Sequence, residues 1–328
     1  MKKIAVLTSG GDAPGMNACI RSIVLTAEHY EPEVIGYKHD YKGLIDQKFK
    51  LLAPSNVTNI IQRGGTILKS GRCEDFHTEK SGRAAANDLQ DLQVDALLVI
   101  GGKGSFRGAH HLCKYYKGQV IGLSGTIDND ISGTDATIGY YTAIETALDS
   151  IDKVRDTADA FERIFLIEVM GRHAGFIALN AAVASAADRV IVPEGCNDID
   201  QEVDNIIEHL HTVYSQSGIS SYIVVISENL LPVGVIALAK ILTDKTQIEC
   251  RPVILGHVQR GGSPASQDRI LATKLGAFAV EQALAGQNNV MVGEHNNKLV
   301  TRPIKISWQQ QKPLDEYLLK IQQQLFSL

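Results

Sequence analysis

No stretch of this chain is apolar for anything near the roughly 20 residues that a bilayer-spanning helix needs, so no membrane span is expected. The opening, Met1-Lys2-Lys3-Ile4-Ala5-Val6-Leu7-Thr8, carries charge like a leader. It breaks at Ser9-Gly10-Gly11-Asp12 after a short apolar run, and so reads as a first buried strand. Cysteine is sparse: Cys19, Cys73, Cys113, Cys196 and Cys250 are scattered, odd in number and form no CxxC pair. That excludes a disulfide framework or a cysteine zinc site and predicts reduced thiols in a cytoplasmic protein. Excess basic charge is missing too. With 32 Lys and Arg against 37 Asp and Glu, the net charge of −5 argues against a nucleic-acid partner. There is no low-complexity tract, tandem repeat or composition shift that would mark a linker, and one tryptophan, Trp308. What remains is 44% hydrophobic and 21% charged over 328 residues, enough for one large domain or two interlocked ones.

Short apolar runs alternate with amphipathic stretches. Strands are predicted at Ile4–Leu7, Glu33–Tyr37, Ala96–Ile100, Val120–Leu123, Ile164–Glu168, Arg189–Val192, Ser221–Ile226 and Val253–Leu255. Helices are predicted at Asn17–Glu28, Thr142–Thr157, Asp200–Gln216 and, after a polar loop at Gln309–Pro313, Leu314–Phe326. This rhythm gives an α/β fold with largely parallel sheets, in which ligands sit at the carboxyl ends of strands. Glycine clusters fall where strands should end: Gly10-Gly11, Gly101-Gly102, Gly125 and Gly261-Gly262. One such cluster is ordinarily a turn. Four in that position point to a phosphate-binding crevice.

Chemistry concentrates at four places. Thr8-Ser9-Gly10-Gly11-Asp12-Ala13-Pro14-Gly15-Met16-Asn17 is a strand end, tight loop and helix start, and its amides suit an anion. Gly101-Gly102-Lys103-Gly104-Ser105 follows the apolar run Val94–Ile100 and adds a cation. Gly125-Thr126-Ile127-Asp128-Asn129-Asp130 holds two carboxylates that share one side if the backbone is extended; one could accept a proton while the other engages a metal. Last come the arginines Arg72, Arg163, Arg172, Arg251 and Arg260, whose planar forks suit phosphate oxygens. Taken singly, each is also an ordinary turn, cap or surface ion pair. Together they are the parts of a phosphoryl transferase, which needs positioning and charge stabilisation more than covalent chemistry.

The segments LTSGGDAPGMN, IGGxGS, GTIDND, EVMGR and LGHVQRGGSP follow one another from Ile4 to about Leu299, and with them the chain resembles bacterial ATP-dependent 6-phosphofructokinases. The resemblance implies two interlocked three-layer α/β domains. One is nucleotide-binding, residues 1–139 plus about 257–305; the other is sugar-phosphate-binding, residues about 140–256 plus 306–328. It implies transfer of the ATP γ-phosphoryl to O1 of fructose 6-phosphate, as in glycolysis, with Mg2+. By the same resemblance Asp128 takes the 1-hydroxyl proton, Thr126, Arg172 and Gly11 attend the transferring group, and Asp130 engages the metal. Gly11, Arg72, Cys73, Gly102, Lys103, Gly104, Ser105 and Gly108 line the ATP site. Met170, Gly171, Glu228 and His257 hold the sugar, and Arg163, Arg251 and Arg260 hold its 6-phosphate, some of them from a neighbouring subunit of a homotetramer. Pyrophosphate-using relatives carry aspartate and lysine where this chain has Gly104 and Gly125, so ATP is the expected donor.

Two departures stand out. Lys103 occupies the place of an aspartate that supports the metal, so either a slower enzyme with altered magnesium dependence or a catalytically silent regulatory subunit is implied. At the family's effector site Arg21, Arg155 and Asp188 persist. Leu25 and Pro54 stand where arginines are common, and Ser215–Ser221 lacks lysine, so little activation by ADP is expected.

Overall fold

The computed structural model describes residues 1–195, 199–217, 221–230 and 233–325. In chain order its strands are β1 (Lys3–Thr8), β2 (Glu33–Tyr37), β3 (Phe49–Leu51), β4 (Ala96–Gly101), β5 (Gln119–Ser124), β6 (Ile164–Val169), β7 (Arg189–Ile191), β8 (Tyr222–Ser227), β9 (Cys250–Ile254), β10 (Val290–His295) and β11 (Lys298–Pro303). The chain divides into two units. The first is Met1–Ile127, Ile131–Thr142 and Arg260–Lys312; the second is Asp128–Asp130, Ala143–Gln259 and Pro313–Leu328.

The first unit is built on a seven-stranded sheet, order β11-β10-β5-β4-β1-β2-β3. Its centre is parallel, and both edges are antiparallel, β2 with β3 and β10 with β11. β4 is buried at every position, as a strand covered on both faces must be. From β1 the chain goes to β2 on one side and later to β4 on the other. The loops after β1 and β4 therefore flank a topological switch point, where open α/β sheets leave a crevice for ligands.

The second unit holds a parallel sheet of order β7-β8-β6-β9. Its core joins Leu166, Ile206, Leu210, Val224, Ile226, Leu238 and Leu242. All six residues of β8 are buried. The carboxyl ends of its three neighbouring strands β8, β6 and β9 lead into Glu228, Met170 and Gly256.

The expected α/β fold with mostly parallel sheets is what the chain adopts. Three strands were not foreseen: β3, β10 and β11. The last predicted strand, Val253–Leu255, lies earlier, at Cys250–Ile254, so Arg251 is within it. Of the cysteines, Cys19, Cys73, Cys113 and Cys250 are free thiols, and Cys196 lies outside the described residues. Burial pushes the Cys113 and Cys250 thiols up to about 11 and about 12, which keeps them un-ionised and inert. No described helix is long and apolar enough to cross a membrane.

Candidate active site

In the first unit, the loop after β1 is tied to its neighbours through backbone. Ser9 N–H donates to the Ile100 carbonyl (2.9 Å) and Gly10 N–H to that of Gly71 (2.8 Å). The Ser70 hydroxyl donates to the Gly10 carbonyl at 2.7 Å. The helix Met16–Tyr30 follows without a side-chain cap, and its Met16 N–H donates to the Ala13 carbonyl at 3.2 Å. Close approach demands glycine at 101, where a Cβ would stand 2.4 Å from Ser105 Oγ and 2.7 Å from the Ser9 carbonyl oxygen; one on Gly11 would stand 2.5 Å from Arg260 Nη1, the tip of a long side chain. Arg260 thus lies against the Gly11–Asp12 backbone and makes a long hydrogen bond of 3.4 Å to the Asp12 carbonyl.

A third glycine loop joins these, and sequence reading passed over it. Arg63-Gly64-Gly65-Thr66 is pinned by Asn17, which is 1% exposed. Asn17 donates to the carbonyls of Arg63 (2.9 Å) and Gly65 (3.0 Å) and accepts from Ile67 N–H (2.8 Å). Asp12 accepts from Ala13 N–H and Thr66 N–H, and the Thr8 hydroxyl meets Thr66 Oγ1. A cavity of about 360 Å³ opens here, lined by Gly10, Asp12, Thr66, Lys69, Gly71 and Arg72 among others. The Gly64-Gly65 pair was the available signal. Gly261-Gly262 does not end a strand: it follows the tight turn Gly256–Arg260, and a Cβ on Gly64 would stand 2.2 Å from the Gly262 carbonyl oxygen.

After β4 the chain turns directly into the helix Lys103–Leu112, with Gly102 as N-cap. Lys103 is its first residue. A cation there works against the helix dipole, which makes sense where an anion is to be held. Ser105 is buried, and Gly108 lets Tyr41 and Phe76 pack on the helix. Gly104 is open, with nothing within 4 Å of an added Cβ, whereas one on Gly125 would stand 2.8 Å from Ile100 Cγ2. Sheet packing therefore demands glycine at 125 and does not demand it at 104. Arg72 is exposed and Cys73 half-buried.

Beyond β5, Thr126 is buried, and its carbonyl accepts the Thr137 hydroxyl at 2.5 Å. The condition set for the two carboxylates is not met. Ile127 and Asp128 form a turn and Asn129 sits at φ 52°, so simple strand alternation does not set the directions of Asp128 and Asp130. Asp128, 8% exposed, and Asp130, half-buried, group with the second unit. The loop returns at Gly139–Thr142, where buried Asp268 accepts from Gly139 N–H (2.8 Å), Thr142 N–H (2.7 Å) and the Thr142 hydroxyl (2.5 Å).

In the second unit the turn after β6 is held by two acceptors that sequence did not assign to it. Gln259, fully buried, accepts from Met170 N–H (2.8 Å) and donates to the Ala143 carbonyl (3.3 Å). Glu228 Oε1 accepts from Gly171 N–H (3.2 Å) and Arg172 N–H (2.7 Å), and Arg172 is left exposed at φ 62°. Burial, then the charge of Glu228, pushes the Glu168 carboxyl upward. Arg163 and Arg251 both pair with one carboxylate, Glu249. Arg163 also lies over the Phe161 ring, 4.3 Å from its centroid. His257 is exposed.

Of the effector residues, Arg155 donates to the Ser185 (2.6 Å) and Ala186 (3.1 Å) carbonyls, and Asp188 accepts from Ile223 N–H (2.8 Å). Arg21 is half-buried in the first unit. The stretch Ser215–Ser221 falls partly outside the described residues.

The sequence pattern of the phosphofructokinase family matches residues 3–283. The chain is 44% identical over 98% of both lengths to a protein of Halothermothrix orenii named ATP-dependent 6-phosphofructokinase. It is 46% identical, over 99% of each, to ATP-dependent 6-phosphofructokinase 1 of Thermus thermophilus. Among solved structures, the phosphofructokinase of Saccharomyces cerevisiae superposes with a TM-score of 0.87 at 34% identity, covering 94% of this chain and 45% of that longer one. A pyrophosphate-dependent phosphofructokinase from Marinobacter aquaeolei, 21% identical, shares the fold with a TM-score of 0.82. Glycine loops at a switch point, the motif series along the chain and likeness over nearly its whole length lead to one assignment: the chain belongs to the phosphofructokinase family.

Proposed function

We propose that the chain transfers the γ-phosphoryl group of ATP to O1 of fructose 6-phosphate, giving fructose 1,6-bisphosphate and ADP. The observation that carries this is 44% identity along 98% of both chains to a protein named for the reaction. The first unit is the nucleotide side, with Gly11, Arg72, Cys73 and Gly102–Ser105 about the phosphates and Gly108 behind them. The second is the sugar side, with Met170, Gly171, Glu228 and His257 at the sugar and Arg163 and Arg251 at its 6-phosphate, a role assigned to Arg260 as well. Asp128 accepts the O1 proton as O1 bonds to phosphorus and the β–γ bridge breaks toward ADP. Thr126, Arg172 and the Gly11 backbone steady the charge that builds on the moving group. Association as a homotetramer with shared sites suits the exposed Ile254 and Val258, which lie between Arg251 and Arg260 in sequence.

Among the described residues no cluster of three metal-ligating side chains exists. Asp130 offers one carboxylate, which fits a Mg2+ that arrives on the nucleotide, since that ion is commonly held by one or two carboxylates plus phosphate oxygens. When bound, it neutralises phosphate charge. Lys103 supplies positive charge from the protein where a second carboxylate would otherwise stand. Formation of fructose 1,6-bisphosphate should be measured for the parent and Lys103→Asp over a range of magnesium. Parent turnover is expected, with a magnesium curve that shifts in the variant. Binding of both substrates without turnover would replace this reading with that of a silent regulatory subunit.

A further inference from the structure

Asp40 carries three burdens at once. With His39 it forms a pair of non-glycine residues in left-handed backbone, φ 66° and 64°. It is 1% exposed, and its Oδ1 is buried without a hydrogen-bond partner. Burial pushes its carboxyl above the ordinary range, opposed by hydrogen bonds from Ser9, Tyr41 and Cys73. A strained, desolvated and half-satisfied acid does not serve stability, so what it holds deserves the weight.

What it holds is the nucleotide side. Asp40 Oδ2 accepts Cys73 N–H at 3.1 Å, and the nearby Ser9 side chain acts to lower the pKa of the same carboxyl. Gly71, whose carbonyl takes Gly10 N–H, lies beside Asp40: a Cβ there would be in ordinary contact, 3.6 Å from Asp40 Cβ. The next residue, Tyr41, is stacked on Phe76 (centroids 4.0 Å apart) and donates its hydroxyl to the Ser105 carbonyl at 2.6 Å. His39 N–H anchors the corner to the Leu68 carbonyl at 2.9 Å. The loop after β1, the segment through Cys73 and the first turn after β4 thus converge on two consecutive residues, although they lie 31 to 64 positions from them in sequence.

We propose that Asp40 is a positioning residue for the donor side, whose carboxylate, with the Tyr41 phenol, sets the spacing of the three loops that face the phosphates. The proposal rests on the reading of ATP as the donor. The decisive variant is Asp40→Gly, because glycine adopts the left-handed corner without strain and only the carboxylate is lost. Its KM for ATP should rise roughly tenfold, the scale of one charged hydrogen bond. KM for fructose 6-phosphate and kcat should stay within about twofold of the parent, a change worth little on that scale. The Cys73 amide should exchange hydrogen faster, and the melting temperature should not fall. Asp40→Asn tolerates the same backbone and keeps an acceptor, so it should restore the ATP KM to within about threefold.

An unchanged ATP KM, both KM values moving together, or an unchanged Cys73 exchange rate in Asp40→Gly would overturn the proposal. Should the parent turn over no ATP, its calorimetric Kd for ATP replaces KM. The exchange comparison, which needs no nucleotide, still decides the role of Asp40, so failure of the donor reading is told apart from failure here.

Discussion

In the first unit the glycine loops are fastened to one another by backbone and by buried polar side chains; in the second, Arg163 and Arg251 are fastened to a carboxylate near the surface. Asn17 and Asp40 are each 1% exposed and fix loops distant in sequence. The Glu249 carboxylate is 40% exposed, and the arginines it joins are 27% and 56% exposed. One side is set in place before a ligand comes, at a cost taken during folding. The other keeps Arg163 and Arg251 neutralised by an internal anion, which the proposed 6-phosphate would have to outcompete. Preorganised dipoles require little rearrangement on binding, whereas paired arginines exchange one partner for another.

The largest test of this contrast leaves both binding sides alone and removes the proposed base, Asp128. Asp128→Asn should lower kcat by roughly 10²–10⁴-fold, the usual contribution of a positioned general base, with both KM values little changed. Steady-state assays decide it. A KM change without a kcat change would assign Asp128 to binding instead.

The next acts on the fastened side. Asn17→Ala leaves two carbonyls and one amide of the Arg63–Ile67 segment without their partner. Buried groups left unsatisfied cost about 1–3 kcal/mol each, and water entering the gap limits the total, so a loss of about 2–4 kcal/mol is expected in urea unfolding. A loss below about 1 kcal/mol would show that the glycine loops do not depend on this fastening.

How far the sequence disclosed these arrangements depends on the range over which each contact acts. β1, β4 and β8 were legible because their burial makes continuous apolar runs of them. β3 and β11 were not, since they are edge strands with exposed or half-buried residues throughout and carry no apolar run. The hairpin joining β10 to β11 did leave a sign, Asn296-Asn297, both at positive φ as a tight hairpin turn requires. The Gly10-Gly11 and Gly101-Gly102 loops were legible because strand ends and glycines are local. Asn17, Asp40, Gln259 and Asp268 were not. Each meets its partners across 30 to 130 residues, and nothing in K-H-D-Y-K announces a buried carboxylate. The shared side of Asp128 and Asp130 was conditional on an extended backbone, and alternation presumes a strand where the chain instead turns at Ile127-Asp128.

The smallest effect is expected on the side-chain side. Glu249→Gln removes the charge that both Arg163 and Arg251 engage while keeping a group of the same shape. Partly exposed ion pairs contribute about 0–1 kcal/mol, so stability should hardly move. Fructose 6-phosphate, however, would no longer compete with a carboxylate for those guanidinium groups. Its KM should fall about threefold at low salt, and less as salt rises, because screening weakens the competitor and the phosphate alike. The KM for ATP should stay put. A rise in the sugar-phosphate KM would mean that Glu249 holds the arginines in the geometry the phosphate needs. The second unit would then be as preorganised as the first, with an acid in place of a backbone.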